Sequence, residues 1–183
     1  MARVLVILAE GFEESEAIVP IDVLRRGGVE VVTAALADDL IVPGAHGIKV
    51  VADTKLVDVA TEEYDLVLLP GGPGTERLRH SELVLERVRR QRARNGYLAA
   101  ICAAPLVLVD AGVLDSDQHI TCYPSCVVDL DRSSAGVPVV VDGGVITGQA
   151  PGAALLFGLV VLQVLEGEGV AQRVARAMVT DVL

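Results

Sequence analysis

Residues 97–105 read Tyr97-Leu98-Ala99-Ala100-Ile101-Cys102-Ala103-Ala104-Pro105, and this stretch is the most informative about the fold. An apolar run of strand length ends at a cysteine and continues through small residues into a helical segment at 103–111. The alanines on both sides of Cys102 relieve the crowding of a sharp turn from a strand into a helix. A strand that leads directly into a helix in this way is typical of an α/β sheet.

The same alternation of short apolar runs and helical stretches extends along the chain. Strands are predicted at residues 4–9, 30–36, 65–69, 97–101 and 137–141. Helices are predicted at residues 17–26, 81–94, 103–111 and 153–165, with Pro20 either in the first turn or at a kink. Asp142-Gly143-Gly144 between two valine-rich runs predicts a hairpin. We therefore expect one doubly wound α/β domain over residues 1–183 with a mostly parallel sheet.

The chain is acidic, with a formal net charge of -10 from 25 acidic and 15 basic residues. This charge disfavours a nucleic-acid partner, because binding a phosphate backbone requires clustered positive charge. Seven arginines do lie between Arg77 and Arg94. We interpret them as the solvated face of a helix rather than as an anion-binding patch.

The cysteines and the apolar segments predict a cytoplasmic protein without a membrane span. Cys102, Cys122 and Cys126 make an odd count with no disulfide framework, which favours a reducing compartment. The amino terminus does not have the pattern of a signal peptide. The apolar segment at 153–165 is shorter than the roughly 20 residues that a bilayer-spanning helix needs.

Cys102 has two interpretations. At the start of a helix, free N–H groups and the helix dipole favour the thiolate and predict a thiol pKa below its ordinary value of about 8.5. Such a cysteine is a candidate nucleophile. The alternative is an inert buried cysteine, since cysteine is among the residues most often found in protein interiors.

Gly71 and Gly72 end another predicted strand, where glycine lets the backbone approach a ligand closely. With the N–H of Ala103, their N–H groups are candidates for an oxyanion site beside Cys102. The alternative is a purely structural turn. Neither the dinucleotide-binding fingerprint nor a phosphate-binding loop is present, so no cofactor is expected.

Glu13, Glu14 and Glu16 crowd the start of the first predicted helix. They either complement the helix dipole, or one of them stays protonated beside Cys102 as a hydrogen-bond donor or general acid/base. The spacing does not select which glutamate has this role.

A second cysteine cluster follows the pattern His119-x-x-Cys122-x-x-x-Cys126. Structural zinc sites carry a fourth ligand at a regular spacing, and none is evident, so no metal is expected. His119 is also a candidate base for Cys102, although none of the three histidines adjoins that cysteine in sequence.

Five blocks of the chain together resemble the ThiJ/PfpI family, in its YajL-like branch. The blocks are residues 5–16, 21–28, 64–72, 99–105 and 147–152. The resemblance implies a flavodoxin-like sheet sandwiched by helices, as in class I glutamine amidotransferases. It also implies a homodimer that acts without a cofactor.

The resemblance also assigns the site. It implies that the reactive cysteine is Cys102 and that the protonated glutamate beside it is Glu16. The backbone at Gly71, Gly72 and Ala103 is implied to form the neighbouring oxyanion site.

Two residues depart from patterns within the family. Protease-like members place histidine directly after the nucleophile, where this chain has Ala103, so peptidase activity is not expected. Tyr123 stands where another branch carries histidine, and an aromatic residue is what YajL-like members carry. Because a phenol has a pKa near 10, Tyr123 is an auxiliary hydrogen-bond donor and a poor base.

These expectations lead to two functional hypotheses. The first is cysteine-dependent detoxification of reactive carbonyls by a glyoxalase III or protein-deglycase type of lyase or hydrolase, acting on small aldehydes such as methylglyoxal or on glycated protein. The second is a redox-responsive chaperone or oxidative-stress sensor in which Cys102 is oxidised. An inactive structural homologue is a third interpretation.

Overall fold

The computed structural model describes residues 1–130 and 133–183 and is built around a seven-stranded sheet. The strands are β1 (Arg3–Leu8), β2 (Glu30–Ala35), β3 (Ile41–Pro43), β4 (Lys49–Val51), β5 (Thr54–Lys55), β6 (Leu66–Leu69), β7 (Tyr97–Ile101), β8 (Val139–Asp142) and β9 (Val145–Gly148). The helices are α1 (Glu14–Arg26), α2 (Leu56–Val59), α3 (Thr75–Arg79), α4 (Glu82–Ala93), α5 (Pro105–Asp110), α6 (Ala154–Glu166) and α7 (Glu168–Ala177). Short 3-10 helices lie at Pro124–Asp129 and Pro151–Ala153.

The order of the strands confirms the predicted doubly wound α/β class. The sheet runs β5-β2-β1-β6-β7-β9-β8, and its neighbouring strands are parallel except for the antiparallel β8–β9 hairpin. Strands β3 and β4 form a separate antiparallel pair. The carboxyl ends of β1, β6 and β7 therefore meet at one edge of the sheet, where ligands bind in folds of this kind.

Both faces of the sheet are covered, and β1 shows how. Val4, Val6 and Leu8 pack into the core shared with α1, α6 and α7, whereas Leu5 and Ile7 pack into the core shared with α2, α4 and α5. Successive side chains of a strand point to opposite faces, so a strand that is covered on both faces is apolar throughout.

Helix α1 begins at Glu14, three residues earlier than predicted, because Glu13 caps it. The Glu16 N–H donates to Glu13 Oε2 at 2.8 Å. Pro20 consequently lies in the helix interior and not in the first turn. The predicted end of the helix is confirmed, with Gly28 at φ +87° just beyond it. This earlier start places Glu16 in the first turn, at the carboxyl edge of the sheet.

The arginine-rich stretch forms two helices, α3 and α4, and its interpretation as a solvated face is wrong for Arg87. This side chain is 2% exposed. Its Nη1 donates to the Glu62 carbonyl at 2.8 Å, its Nη2 donates to Gln91 Oε1 at 3.3 Å, and its guanidinium lies 5.2 Å from the Tyr64 ring centroid. Arg87 is buried because it satisfies carbonyl and amide oxygens that the fold removes from water.

Among the described residues, no helix combines the length and the apolar character needed to cross a membrane. Helix α6 is the predicted apolar segment, and it packs against α1 and α7. Gly158 of α6 makes this packing close, since a Cβ there would lie 3.0 Å from Pro20 Cα of α1.

Candidate active site

Cys102 occupies the sharp turn between β7 and α5 that the sequence predicts. Its φ is +65°, in the left-handed region that residues with a side chain rarely adopt. Its N–H donates to the Gly148 carbonyl at 2.9 Å, and its carbonyl accepts the Tyr123 N–H at 2.8 Å. Two backbone hydrogen bonds therefore hold the strained residue in place.

Glu16 reaches this turn from α1 and is completely buried. Its Oε2 accepts the Gly71 N–H at 2.9 Å, whereas Oε1 is buried without a hydrogen-bond partner in the described geometry. Burial raises the pKa of Glu16 to about 7, and the nearby Glu13 adds to this rise, while hydrogen bonds from Cys102 and Gly71 oppose it. Glu16 thus changes protonation near neutral pH.

The Cys102 thiol does not show the lowered pKa expected from its place before a helix. Burial raises its pKa to about 12, and the charge of Glu16 and a hydrogen bond to it add to the rise. The N–H groups of Gly72 and Ala103 act in the opposite direction. The sequence argument counted the helix end but not the burial or the neighbouring carboxylate. Cys102 and Glu16 therefore titrate as a coupled pair.

The glycine turn after β6 fits closely around this pair. A Cβ on Gly71 would lie 2.6 Å from Glu16 Oε2 and 2.8 Å from Cys102 Cβ. Gly72 has φ +88° and equally lacks room for a side chain. The Gly71 N–H is engaged by Glu16, whereas the N–H groups of Gly72 and Ala103 face the Cys102 thiol and lower its pKa. One backbone amide serves the carboxylate and two serve the thiol.

The other two glutamates have structural partners. Glu13 caps α1 and accepts the Ser15 hydroxyl at 2.6 Å. Glu14 accepts the His46 N–H at 2.7 Å and lies 2.8 Å from His46 Nδ1, so it anchors the loop that follows β3. The absence of a side chain at Gly44 permits this contact, because a Cβ there would lie 2.4 Å from Glu14 Oε1. Glu13, Glu14 and His46 bring ligand atoms within 4.8 Å of one another, but these contacts already give each side chain a partner.

Tyr123 lies beside Cys102 through its backbone, as the 2.8 Å hydrogen bond from its N–H shows. Its side chain is 43% exposed, and the 3-10 helix Pro124–Asp129 begins directly after it. The two remaining cysteines flank Tyr123 in the same segment, with Cys122 1% exposed and Cys126 half-buried.

The hydrogen bonds of the histidines involve groups other than Cys102. Besides His46, His80 Nδ1 lies 2.7 Å from the Glu76 carbonyl, and the backbone N–H of His119 donates to Asp142 Oδ2 at 2.8 Å. Over residues 1–130 and 133–183, no hydrogen bond joins an imidazole to the Cys102 thiol. The arrangement is therefore a cysteine–glutamate pair with backbone amide donors.

Comparisons with known proteins extend over most of the chain. The model of the DJ-1/PfpI family matches residues 2–164, which include every site residue described above. Protein dj-1beta of Drosophila melanogaster is 40% identical over 178 residues, covering 95% of each chain. Glutathione-independent glyoxalase DJR-1.2 of Caenorhabditis elegans is 35% identical over 164 residues, covering 86% of this chain and 85% of that protein. The solved structure of oxidized Toxoplasma gondii DJ-1 has a TM-score of 0.94 at 34% identity, covering 98% of this chain and 99% of that one.

Proposed function

Because this chain belongs to the DJ-1/PfpI family, we propose that it detoxifies small reactive carbonyls through Cys102 and Glu16, as a glyoxalase that needs no glutathione and no cofactor. The single observation that carries the proposal is the buried Glu16, whose pKa lies near neutrality directly beside a cysteine held in a strained turn. The Caenorhabditis elegans relative named as a glutathione-independent glyoxalase supports the same chemistry. The narrower assignment to the YajL-like branch remains a prediction.

The reaction begins with one proton shared by the pair. When that proton passes from Cys102 to Glu16, a thiolate and a neutral carboxylic acid result, with no change in net charge. The thiolate receives the Gly72 and Ala103 N–H groups, and the protonated Oε1 becomes a donor instead of an unsatisfied acceptor. Glu16 is thus both the acceptor of the thiol proton and the acid for the next step.

The thiolate then adds to the aldehyde carbon of methylglyoxal. Glu16 protonates the new oxygen to give a hemithioacetal, and the Gly72 and Ala103 amides stabilise the transient oxyanion. The Glu16 carboxylate removes the hydrogen of the former aldehyde carbon as a proton and returns it to the adjacent carbon, while the hydroxyl proton on the former aldehyde oxygen passes to the ketone oxygen. The product is a lactoyl thioester on Cys102, and water hydrolyses it to lactate and the free thiol. The sequence is an isomerisation followed by hydrolysis and requires no external oxidant or reductant.

The same addition can act on early adducts of methylglyoxal with amino groups of proteins, which is the deglycase form of the proposal. Tyr123 has an auxiliary place, since its backbone holds the Cys102 carbonyl. The Gly71 N–H supports Glu16 rather than the oxyanion. Peptidase activity is not proposed, since Ala103 follows the cysteine and, within the part of the chain that the structure describes, no hydrogen bond joins an imidazole to Cys102.

The proposal is tested by enzymatic detection of lactate from methylglyoxal without glutathione. We expect turnover by the wild type and a loss of at least about 100-fold in both Cys102→Ser and Glu16→Gln. His80→Gln is the control, because His80 is exposed and bonds only within α3 and its end. Activity in either site variant equal to that of His80→Gln would refute the scheme.

A second function, oxidative-stress sensing, is favoured by the likeness to a DJ-1 structure described as oxidized. In this role peroxide converts Cys102 to a sulfinate, which the Gly72 and Ala103 amides and protonated Glu16 would hold. Intact-mass analysis during peroxide titration tests it. Addition of two oxygens to Cys102 at low peroxide supports the role, and survival of unmodified Cys102 at high peroxide excludes it.

We also propose that the protein acts in the cytoplasm as a homodimer. The β3–β4 pair supports the dimer, because the cross-strand partners Ile41 and Val51 are 47% and 69% exposed and the nearby Ile48 is 58% exposed. Exposed aliphatic side chains that cluster on one face are typical of an interface. A second copy of the chain is the occupant that this proposal assigns to the face.

A further inference from the structure

All three cysteines of the chain converge on the backbone of one residue, Tyr123. Its N–H donates to the Cys102 carbonyl at 2.8 Å. Its carbonyl accepts two hydrogen bonds, from the Cys126 N–H at 2.9 Å and from the Cys122 thiol at 3.4 Å. Cys122 and Cys126 therefore share an acceptor atom, although four positions separate them in sequence.

The chain between these two cysteines is short and turned. The Tyr123 carbonyl and the Cys126 N–H close a tight turn, which brings the two ends of the segment together. The following 3-10 helix, Pro124–Asp129, buries none of its residues, so adjustments within it disturb no core packing. A disulfide requires Cα atoms about 4.4–6.8 Å apart. Besides sharing the Tyr123 carbonyl, the two thiols lie near enough to each other that Cys126 raises the pKa of Cys122.

The two thiols also differ in solvent exposure, as expected for a pair in which one thiol is oxidised first and the other then reacts with it. Cys122 is 1% exposed, whereas Cys126 is half-buried and open to a small solute. Burial raises the pKa of Cys126 and the charge of Asp129 adds to the rise, whereas a hydrogen bond with Ser125 and the charge of Arg79 oppose it. Cys126 is thus the thiol that a dissolved oxidant meets first, and Cys122 is positioned to react with it afterwards.

We infer that Cys122 and Cys126 form a redox-active dithiol, distinct from the Cys102 site, that hydroperoxides oxidise to an intramolecular disulfide. The Cys126 thiolate attacks one peroxide oxygen, giving a sulfenic acid and, with hydrogen peroxide, one molecule of water. The Cys122 sulfur then attacks the Cys126 sulfur, forming the S–S bond and releasing a second water. Two thiols lose two electrons and two protons, and the peroxide gains them. The inference does not depend on the proposed glyoxalase activity.

The test uses the full chain, treated with equimolar hydrogen peroxide, then alkylated under denaturing conditions and mapped by peptide mass. We expect a peptide in which Cys122 and Cys126 are linked and protected from iodoacetamide, and reduction with dithiothreitol restores both thiols. The same link is expected in Cys102→Ser, which separates the dithiol from the nucleophile. In Cys126→Ser we expect Cys122 to stay reduced, since it is buried.

Each other result would overturn the inference. A disulfide that joins Cys102 to Cys122 or Cys126 would show that the dithiol is not a separate site. Full alkylation of Cys122 and Cys126 after Cys102 has already gained oxygen would show that the pair is not redox-active. Because the mapping of the wild type answers the question alone, a folding defect in either serine variant does not affect the conclusion.

Discussion

Glu16 controls the state of the site because its carboxyl group and the Cys102 thiol hold one proton between them from about pH 7 to about pH 12. Below about pH 7 both groups are protonated, and a thiol is a poor nucleophile. The raised pKa of Glu16 therefore predicts that Cys102 becomes reactive as the pH rises through about 7. The quantity to measure is the rate of alkylation of Cys102 by iodoacetamide as a function of pH, followed by peptide mass.

Glu16→Gln should move this rise to higher pH. Glutamine cannot accept the thiol proton, and burial alone still raises the thiol pKa. At about pH 7.5 we expect alkylation at least roughly tenfold slower than in the wild type, because the rise then follows the pKa of the thiol itself, which burial keeps above its ordinary value. An unchanged profile in Glu16→Gln would mean that the carboxyl group does not take the thiol proton.

The turn Gly71–Gly72 after β6 leaves no room for a side chain next to the proposed catalytic pair. Gly71→Ala places a methyl group 2.6 Å from Glu16 Oε2, so either the carboxylate or the turn must shift. We expect this variant to lose most of its lactate production and about 1–3 kcal/mol of stability. Gly152→Ala is the matched control, since a Cβ there meets nothing within 4 Å. Equal activity of the two alanine variants would show that the turn tolerates displacement.

Helix α4 shows a limit of reading charge from sequence. From residue type alone, all of its arginines were expected to be exposed to solvent. Arg87 is nevertheless buried, because the loop after α2 presents the Glu62 carbonyl to it. Arg87→Ala should cost about 2–4 kcal/mol, since it leaves buried acceptors without a donor. Arg90→Ala, on the exposed face of the same helix, should change stability by less than about 0.5 kcal/mol. Chemical denaturation of both variants measures the free energy of unfolding. Equal losses in the two variants would contradict a stabilising role for the buried Arg87 guanidinium.

The elements that were predicted from sequence are those whose pattern lies within one short segment. The elements that were missed depend on contacts with distant parts of the chain. Strands β1, β6 and β7 were predictable because burial on both faces makes them apolar throughout. The amphipathic α7 and the short β3–β4 pair were missed, because few of their residues are buried and their partners are distant in sequence. The start of α1 was also missed, since glutamate is not a usual capping residue.

The site was predictable to the extent that it rests on the Cys102 turn, and that prediction required only the run 97–105. The proposal of Glu16 among three glutamates came from family resemblance, and its complete burial against Gly71 is consistent with that proposal. The raised thiol pKa could not be predicted, because it depends on a contact between α1 and the end of β7, which are far apart in the chain. Pairing of this kind is a property of the folded molecule.

At the scale of the whole molecule, the exposed β3–β4 pair leads to a prediction about dimer formation. Val51 lies opposite Ile41 on the β3–β4 pair and is 69% exposed, so a charge there should oppose burial against a second copy. We expect the wild type to behave as a dimer of the 19.1 kDa chain and Val51→Glu to shift toward the monomer, measured by light scattering after size-exclusion chromatography. Val128→Glu is the control, because Val128 is 85% exposed and belongs to the 3-10 helix rather than to that pair. If both variants remain dimeric, the interface lies on another face; if the wild type is monomeric, the proposed homodimer is wrong.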